Sequence, residues 1–118
     1  MSASAPQEIH SLFERAFNNG DVEALVALYE PGAVLVAAGK PVTGHDGIRE
    51  ALKIFVSGGS RMRLETRVVI ESGEGLAVLH GAWSIGPPLA TQGLSTEVVR
   101  RQPDGSWMFV IDNPNTPR

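Results

Sequence analysis

The chain has 118 residues, a formal net charge of −3, 42% hydrophobic and 19% charged residues, and no cysteine. That length suits one domain over residues 1–118, with a core that needs no staples, and the missing thiols exclude disulfides, thiolate metal sites and cysteine nucleophiles. The lack of a dense Lys/Arg block argues against nucleic acid as a partner, and no apolar run approaches the roughly 20 residues of a membrane span. Met1 to Pro6 offers neither a basic nor an apolar leader region, so a cytoplasmic protein with no signal peptide is expected.

In chain order, Pro6 suits the first turn of a helix, where its missing N–H costs nothing. Ile9, Leu12, Phe13, Ala16 and Phe17 then share one apolar face, which predicts a helix over about residues 6–19. Asn18-Asn19-Gly20 closes it with a residue free to turn left-handed, and Asp21 is a strong N-cap for the next helix. Val22, Leu25, Val26 and Tyr29 recur at helical spacing over about residues 22–30, until Glu30-Pro31-Gly32 stops the run. Ala33 to Ala37 reads as a buried strand, followed by a turn at Ala38-Gly39-Lys40-Pro41 and a short return around Val42. Thr43-Gly44-His45-Asp46 has the spacing of a capping box, and Ile48, Ala51, Leu52, Phe55 and Val56 give a third helix to about residue 57.

The second half changes period. Met62, Leu64, Thr66, Val68 and Ile70 alternate with charged residues, giving a long strand with Val69 as the one apolar residue on its wet side. Ser72-Gly73-Glu74-Gly75 is a hairpin turn, and the strand over 76–85 is apolar on both faces. Gly86-Pro87-Pro88 breaks it, a loop runs to about Thr91, and a third long strand covers 93–101. Pro103-Asp104-Gly105 turns the chain into a last strand over 107–112, again apolar on both faces, before a frayed tail over 113–118. Helices followed by an antiparallel meander make an α+β arrangement. Strands apolar on both faces need two covers, and the helices supply one. A second copy of the chain on the outer sheet face, a homodimer, is the expected other.

The residues Ala16-Phe17-Asn18-Asn19-Gly20-Asp21, Leu25, Leu28-Tyr29, Val42-Thr43-Gly44, Ile48-Arg49 and Asp104-Gly105-Ser106-Trp107 carry a resemblance over about residues 7–113. The chain resembles the nuclear-transport-factor-2-like superfamily, in its ketosteroid-isomerase-like and SnoaL-like branch. That resemblance implies three N-terminal helices packed in a curved, mostly antiparallel sheet, a cone-shaped apolar pocket between them, and usually a dimer. A ketosteroid isomerase needs a carboxylate base and an oxyanion hole made of a tyrosine and a protonated aspartate. On this sequence the tyrosine position falls on Phe13 and the base on Ala37, while the second acid has a counterpart near Glu97. Steroid isomerisation by that mechanism is therefore not expected.

Two acids are the catalytic candidates. Glu97 lies among Leu94, Val98 and Val99, and facing the pocket would raise its pKa; facing outward it would pair with Arg100, Arg101 or an arginine of residues 61–67. Asp112 is the only charge in its strand, and alternation groups it with Met108 and Val110, the face that looks inward in this branch. The competing reading is an aspartate capping the turn at Asn113-Pro114. Phe13, Phe17, Tyr29, Phe55 and Trp83 are the candidates to line a pocket for a small apolar molecule. His10, His45 and His80 have no metal-ligand spacing, so no metal is expected. His10 flanks the first helical face and is the histidine to promote if a base is needed. No phosphate-cradling glycine motif and no nucleophile elbow is present, so no cofactor is expected. Arg61, Arg63 and Arg67 alternating with Glu65 and Glu71 read as a charge-balanced solvent face.

These features suit a cofactor-free enzyme that moves a proton on an apolar carbonyl or polycyclic compound. A non-catalytic module of the same fold, binding an apolar ligand or a protein, is the alternative, and a structural dimer with a filled core is a third reading.

Overall fold

The computed structural model describes residues 2–87 and 90–115. Helix α1 (Glu8–Asn18) buries Ile9, His10, Phe13, Ala16 and Phe17. Gly20, at φ 66°, turns the chain, and Asp21 caps α2 (Val22–Val26) by accepting the Ala24 N–H at 3.1 Å. Helix α2 is shorter than its apolar spacing predicts, because strand β1 (Tyr29–Ala37) begins at Tyr29. Pro31 disfavours a helical Glu30, and the Phe109 N–H reaches back to the Leu28 carbonyl at 2.8 Å, so sheet pairing takes over from the helical pattern.

Strand β2 (Lys40–Thr43) pairs with β1 through Thr43 opposite Val34. Thr43 is thus committed to the sheet, and the expected capping box does not form. Gly44 at φ 86° is the N-cap of α3 (His45–Val56), with no side-chain cap, and Asp46 pairs instead with Arg49 at 3.0 Å. The His45 Nε2–H donates to the Tyr29 carbonyl at 2.7 Å and ties the start of α3 to the start of β1.

Strands β3 (Arg61–Glu71), β4 (Leu76–Gly86), β5 (Thr91–Arg101) and β6 (Trp107–Asn113) complete a six-stranded curved sheet ordered β2-β1-β6-β5-β4-β3. Only β1 and β6 run parallel; the other neighbours are antiparallel. The α+β expectation holds, with α1 and α3 against the inner face of an unclosed sheet and α2 packed on those two helices. The break expected at Pro88 and the frayed tail expected over 116–118 lie outside the described residues, and Asn113 belongs to β6. Among the described residues, no helix is long and apolar enough to cross a membrane.

Two bulges overturn the simple alternation. In β3, Thr66 pairs with Gly81 and Val68 with His80, which leaves Arg67 as the extra residue. Met62, Leu64 and Thr66 precede it on the inner face; after it, Val69 joins that face opposite Leu79, and Val68 and Ile70 turn outward. In β6, Phe109 pairs with Val99 and Ile111 with Val98, leaving Val110 as the extra residue. The bulge changes the phase of the strand. Asp112 therefore shares the inner face with Trp107 and Phe109, not with Met108 and Val110 as alternation implies.

Helix α1 is fixed against the exposed edge of the sheet by side chains that imitate a strand. Asn18 accepts the Met62 N–H at 2.7 Å and donates to the Met62 carbonyl at 3.0 Å, and Glu14 accepts the Leu64 N–H at 2.8 Å. These bonds quiet the free edge of β3 and set the height at which His10 meets the sheet.

Candidate active site

Beneath α1, the inner face of the sheet carries polar residues in two neighbouring rows. One row runs Thr66, Gly81, Ser95 across β3, β4 and β5; the next runs Leu79, Glu97, Asp112 across β4, β5 and β6. Glu97 and Asp112 are direct cross-strand partners, both under 6% exposed. Two carboxyl groups side by side in a dry interior cannot both ionise cheaply.

The surrounding hydrogen bonds separate them. His10, 2% exposed, has its Nε2 2.7 Å from Glu97 Oε1 and its Nδ1 2.6 Å from Thr66 Oγ1. With Nε2–H donating to Glu97, Nδ1 can accept from the Thr66 hydroxyl when the ring is neutral, or donate to it when the ring is protonated. His10 can therefore gain or lose a proton without losing a hydrogen bond. Among the described residues Asp112 has only a neutral partner, the Tyr29 hydroxyl, which donates to Asp112 Oδ2 at 2.5 Å. Burial raises the Asp112 pKa to about 7, with the Glu97 charge adding to the rise and the Tyr29 bond opposing it. Burial and the neighbouring Asp112 also push the Tyr29 hydroxyl well above its usual range, so it stays a phenol. The two acids thus differ in partner: Glu97 is held by histidine, and Asp112, whose protonated form burial favours, is held by tyrosine.

These groups border a cavity of about 30 Å³ walled by His10, Phe13, Phe55, Met62, Leu64, Trp83, Ser95, Glu97, Phe109 and Asp112. Its polar groups come from α1, β5 and β6, and aromatic rings close most of the rest. Phe13 meets Phe109 edge-on at 6.1 Å, and Phe55 meets Trp83 edge-on at 6.2 Å. The Trp83 Nε1–H donates to the Pro114 carbonyl at 2.6 Å, which fixes the indole. This volume holds a water or two, so a larger ligand requires part of the wall to move aside. Phe55 is half-buried near the C-terminal end of α3. A wider open groove of about 830 Å³ runs along β3 and the neighbouring strand, with Arg61, Arg63, Glu65 and Arg67 on its wall. Met62, Leu64 and Trp83 line this groove as well as the cavity, so the two adjoin along β3 and β4.

Of the residues expected to act, Glu97 and Asp112 are thus side by side, and Glu97 pairs with His10 and not with any arginine. Phe13, Phe55 and Trp83 border the cavity. Tyr29 and Phe17 stand behind it, Tyr29 against Asp112 and Phe109, and Phe17 edge-on to Phe55 at 6.0 Å. His80 points outward near Thr96, at 3.2 Å, and His45 serves the fold. Sequence reasoning undervalued His10 and passed over Thr66 and Ser95. The signals were there: His10 is three residues before Phe13 and seven before Phe17, hence on their face, and Ser95 is two residues before Glu97. Among the described residues no group of three or more His, Cys, Asp or Glu could hold a metal ion.

Three helices with an open, curved six-stranded sheet make the nuclear-transport-factor-2-like fold. Within that fold the chain belongs to the SnoaL-like domain family, whose model matches residues 9–110. Solved structures agree on the fold. An NTF-2 like protein of unknown function from Shewanella oneidensis is 20% identical, with a TM-score of 0.81 over 93% of this chain and 95% of that one. A ketosteroid isomerase-like protein from Erwinia carotovora atroseptica is 21% identical, with a TM-score of 0.74 and 94% of each chain covered. A domain of unknown function with a cystatin-like fold from Nostoc punctiforme is 17% identical, with a TM-score of 0.80 over 94% of this chain and 74% of that one. No curated protein matches the sequence.

Proposed function

We propose that this chain is a cofactor-free enzyme that moves a proton on a small, apolar carbonyl compound. One observation carries the reading: a buried Asp112 with a pKa of about 7 stands beside a buried Glu97 paired with His10, on the wall of an otherwise aromatic cavity. Two titratable neighbours with different partners are the arrangement from which acid and base roles arise. Glu97, oriented by His10, takes a proton from the carbon next to the substrate carbonyl. The electron pair moves onto the carbonyl oxygen, where the Asp112 carboxylic acid donates a hydrogen bond to the developing enolate. Tyr29, bonded to the other side of Asp112, holds that acid in place. Return of the proton to the same carbon completes an exchange; where the substrate carries a C=C beside that carbon, the enolate extends over it, and return of the proton to the far carbon shifts the double bond and completes an isomerisation. Phe13, Phe55 and Trp83 supply the apolar wall, with Phe17 and Tyr29 behind it. The active form we infer is a homodimer of residues 1–118 joined through the outer sheet face.

The test is hydrogen–deuterium exchange next to the carbonyl of an apolar ketone, 2-tetralone, in D2O, followed by NMR. The wild-type protein is expected to accelerate exchange well above the buffer rate. Glu97→Gln and Asp112→Asn should each lower that acceleration by about 100-fold or more, the usual scale for a general acid or base. Binding of the ketone with no acceleration would overturn catalysis and leave the binding-module reading.

A further inference from the structure

Among the described residues, one buried side-chain oxygen has no hydrogen-bond partner: Ser95 Oγ. Ser95 is 3% exposed and lies on the cavity wall between the His10–Glu97 pair and the Trp83 ring. Several of its neighbours' polar atoms have other partners. Both His10 nitrogens are taken, by Thr66 and Glu97, and Asp112 Oδ2 is taken by Tyr29. Across the strand pair stands Gly81, which offers no side chain. A Cβ there would lie 2.7 Å from Ser95 Oγ and 3.1 Å from the His10 ring, so the glycine keeps this space open. The inner face of β4 otherwise reads Ala77, Leu79, Trp83, Ile85, all buried side chains. The gap and the unpaired hydroxyl therefore coincide.

We propose that Ser95 Oγ is a ligand-binding donor, and that the substrate is a compact, mostly apolar molecule with two oxygen functions, a carbonyl at Asp112 and a second oxygen at Ser95. This specifies the substrate class and rests on the proton-transfer reading of the same cavity. A buried hydroxyl with no partner costs stability, and a bound oxygen removes that cost. Ser95 is two residues from Glu97 on the same face, and Asp112 is opposite Glu97, so Ser95 and Asp112 are diagonal neighbours roughly 7–8 Å apart at their Cα atoms. A ligand one ring across can reach both. The aromatic walls favour a flat one, a hydroxyaryl ketone for example.

The experiment compares acetophenone with 3- and 4-hydroxyacetophenone, by NMR titration of the wild-type protein and of Ser95→Ala. The wild type should bind at least one hydroxy ketone about 3- to 10-fold more tightly than acetophenone, the scale of one net hydrogen bond. Ser95→Ala should erase that preference and bind acetophenone within about twofold of wild type. Its melting temperature should be unchanged or higher, because the lost hydroxyl had no partner in the fold. A preference that survives Ser95→Ala, the lack of any preference in the wild type, or a melting temperature lower by more than about 4 °C would each overturn the assignment. If the wild type still exchanges deuterium into 2-tetralone in those cases, the Ser95 proposal alone has failed. If it neither binds acetophenone nor exchanges 2-tetralone, the proton-transfer reading has fallen with it.

Discussion

Asp112 couples the site to the stability of the whole chain. Its carboxyl titrates near 7 in the fold, against an ordinary value of 3.8, and burial is the main cause. The folded state therefore holds a proton that the unfolded state releases between about pH 4 and pH 7. Where the unfolded state binds fewer protons, stability falls as pH rises. The contribution of Asp112 is fully present below about pH 4 and is lost as pH climbs through 7. Between pH 5 and pH 8 the loss is on the order of 2–3 kcal/mol, because each tenfold difference in proton affinity between the two states is worth about 1.4 kcal/mol. Urea melts at those two pH values should show the drop, and Asp112→Asn, which keeps an acceptor for the Tyr29 hydroxyl, should flatten it. A wild-type stability that rises over the same range would contradict a neutral Asp112. At this scale the sequence was half legible. Asp112, the only charge in its strand, and Glu97, among Leu94, Val98 and Val99, both stood out as candidates, each with an outward or capping reading beside the buried one. What the sequence could not announce was their adjacency, because cross-strand register depends on a bulge at Val110 that no residue type marks.

At the scale of elements, β4 and β5 divide the work between a glycine and a serine. Gly81→Ala should force the Ser95 hydroxyl or the His10 ring to move, since the new methyl carbon would stand 2.7 Å and 3.1 Å from them. Overpacking of this kind costs about 1–3 kcal/mol. Adding Ser95→Ala to Gly81→Ala removes the nearer obstacle, so the double variant should regain part of the loss. A thermodynamic cycle of denaturant melts measures that coupling, and strict additivity of the two changes would show that they do not meet. Elements were the most readable part of the chain. The α1 face, the Gly20–Asp21 junction and the long antiparallel strands all follow from local chemistry. The misread boundaries were those that tertiary pairing decides. Tyr29 has helical spacing, yet its carbonyl serves His45 and its hydroxyl serves Asp112, so it starts a strand. Thr43 has the spacing of a cap, yet it closes the β1–β2 ladder.

At the scale of the molecule, the same two bulges that shape the site also shape the outer face. Past Arg67 and Val110, Ile70 and Ile111 turn outward and align with Val78 and Val98 in one aliphatic row across β3, β4, β5 and β6. Ile70 is 56% exposed and Ile111 is 44% exposed, with Val68 and Leu76 also exposed nearby. The step in β6 that sends Asp112 into the core thus sends Ile111 to the surface. A contiguous apolar row on the outer sheet face suits a self-complementary two-fold contact, and each copy would cover the aliphatic row of the other. Ile70→Glu with Ile111→Glu should therefore convert a wild-type dimer into a folded monomer, because both positions are exposed within one chain and cost little there. Sedimentation velocity at about 100 μM reads the mass directly, and circular dichroism checks that the double variant keeps its fold. A wild-type protein that sediments as a monomer would remove the dimer, while Asp112, Glu97 and His10, which all sit on the opposite face, would keep their geometry. The pH dependence of melting should then be the same for wild type and double variant, since an assembly of this kind would touch only the far side of the strand that holds the acid.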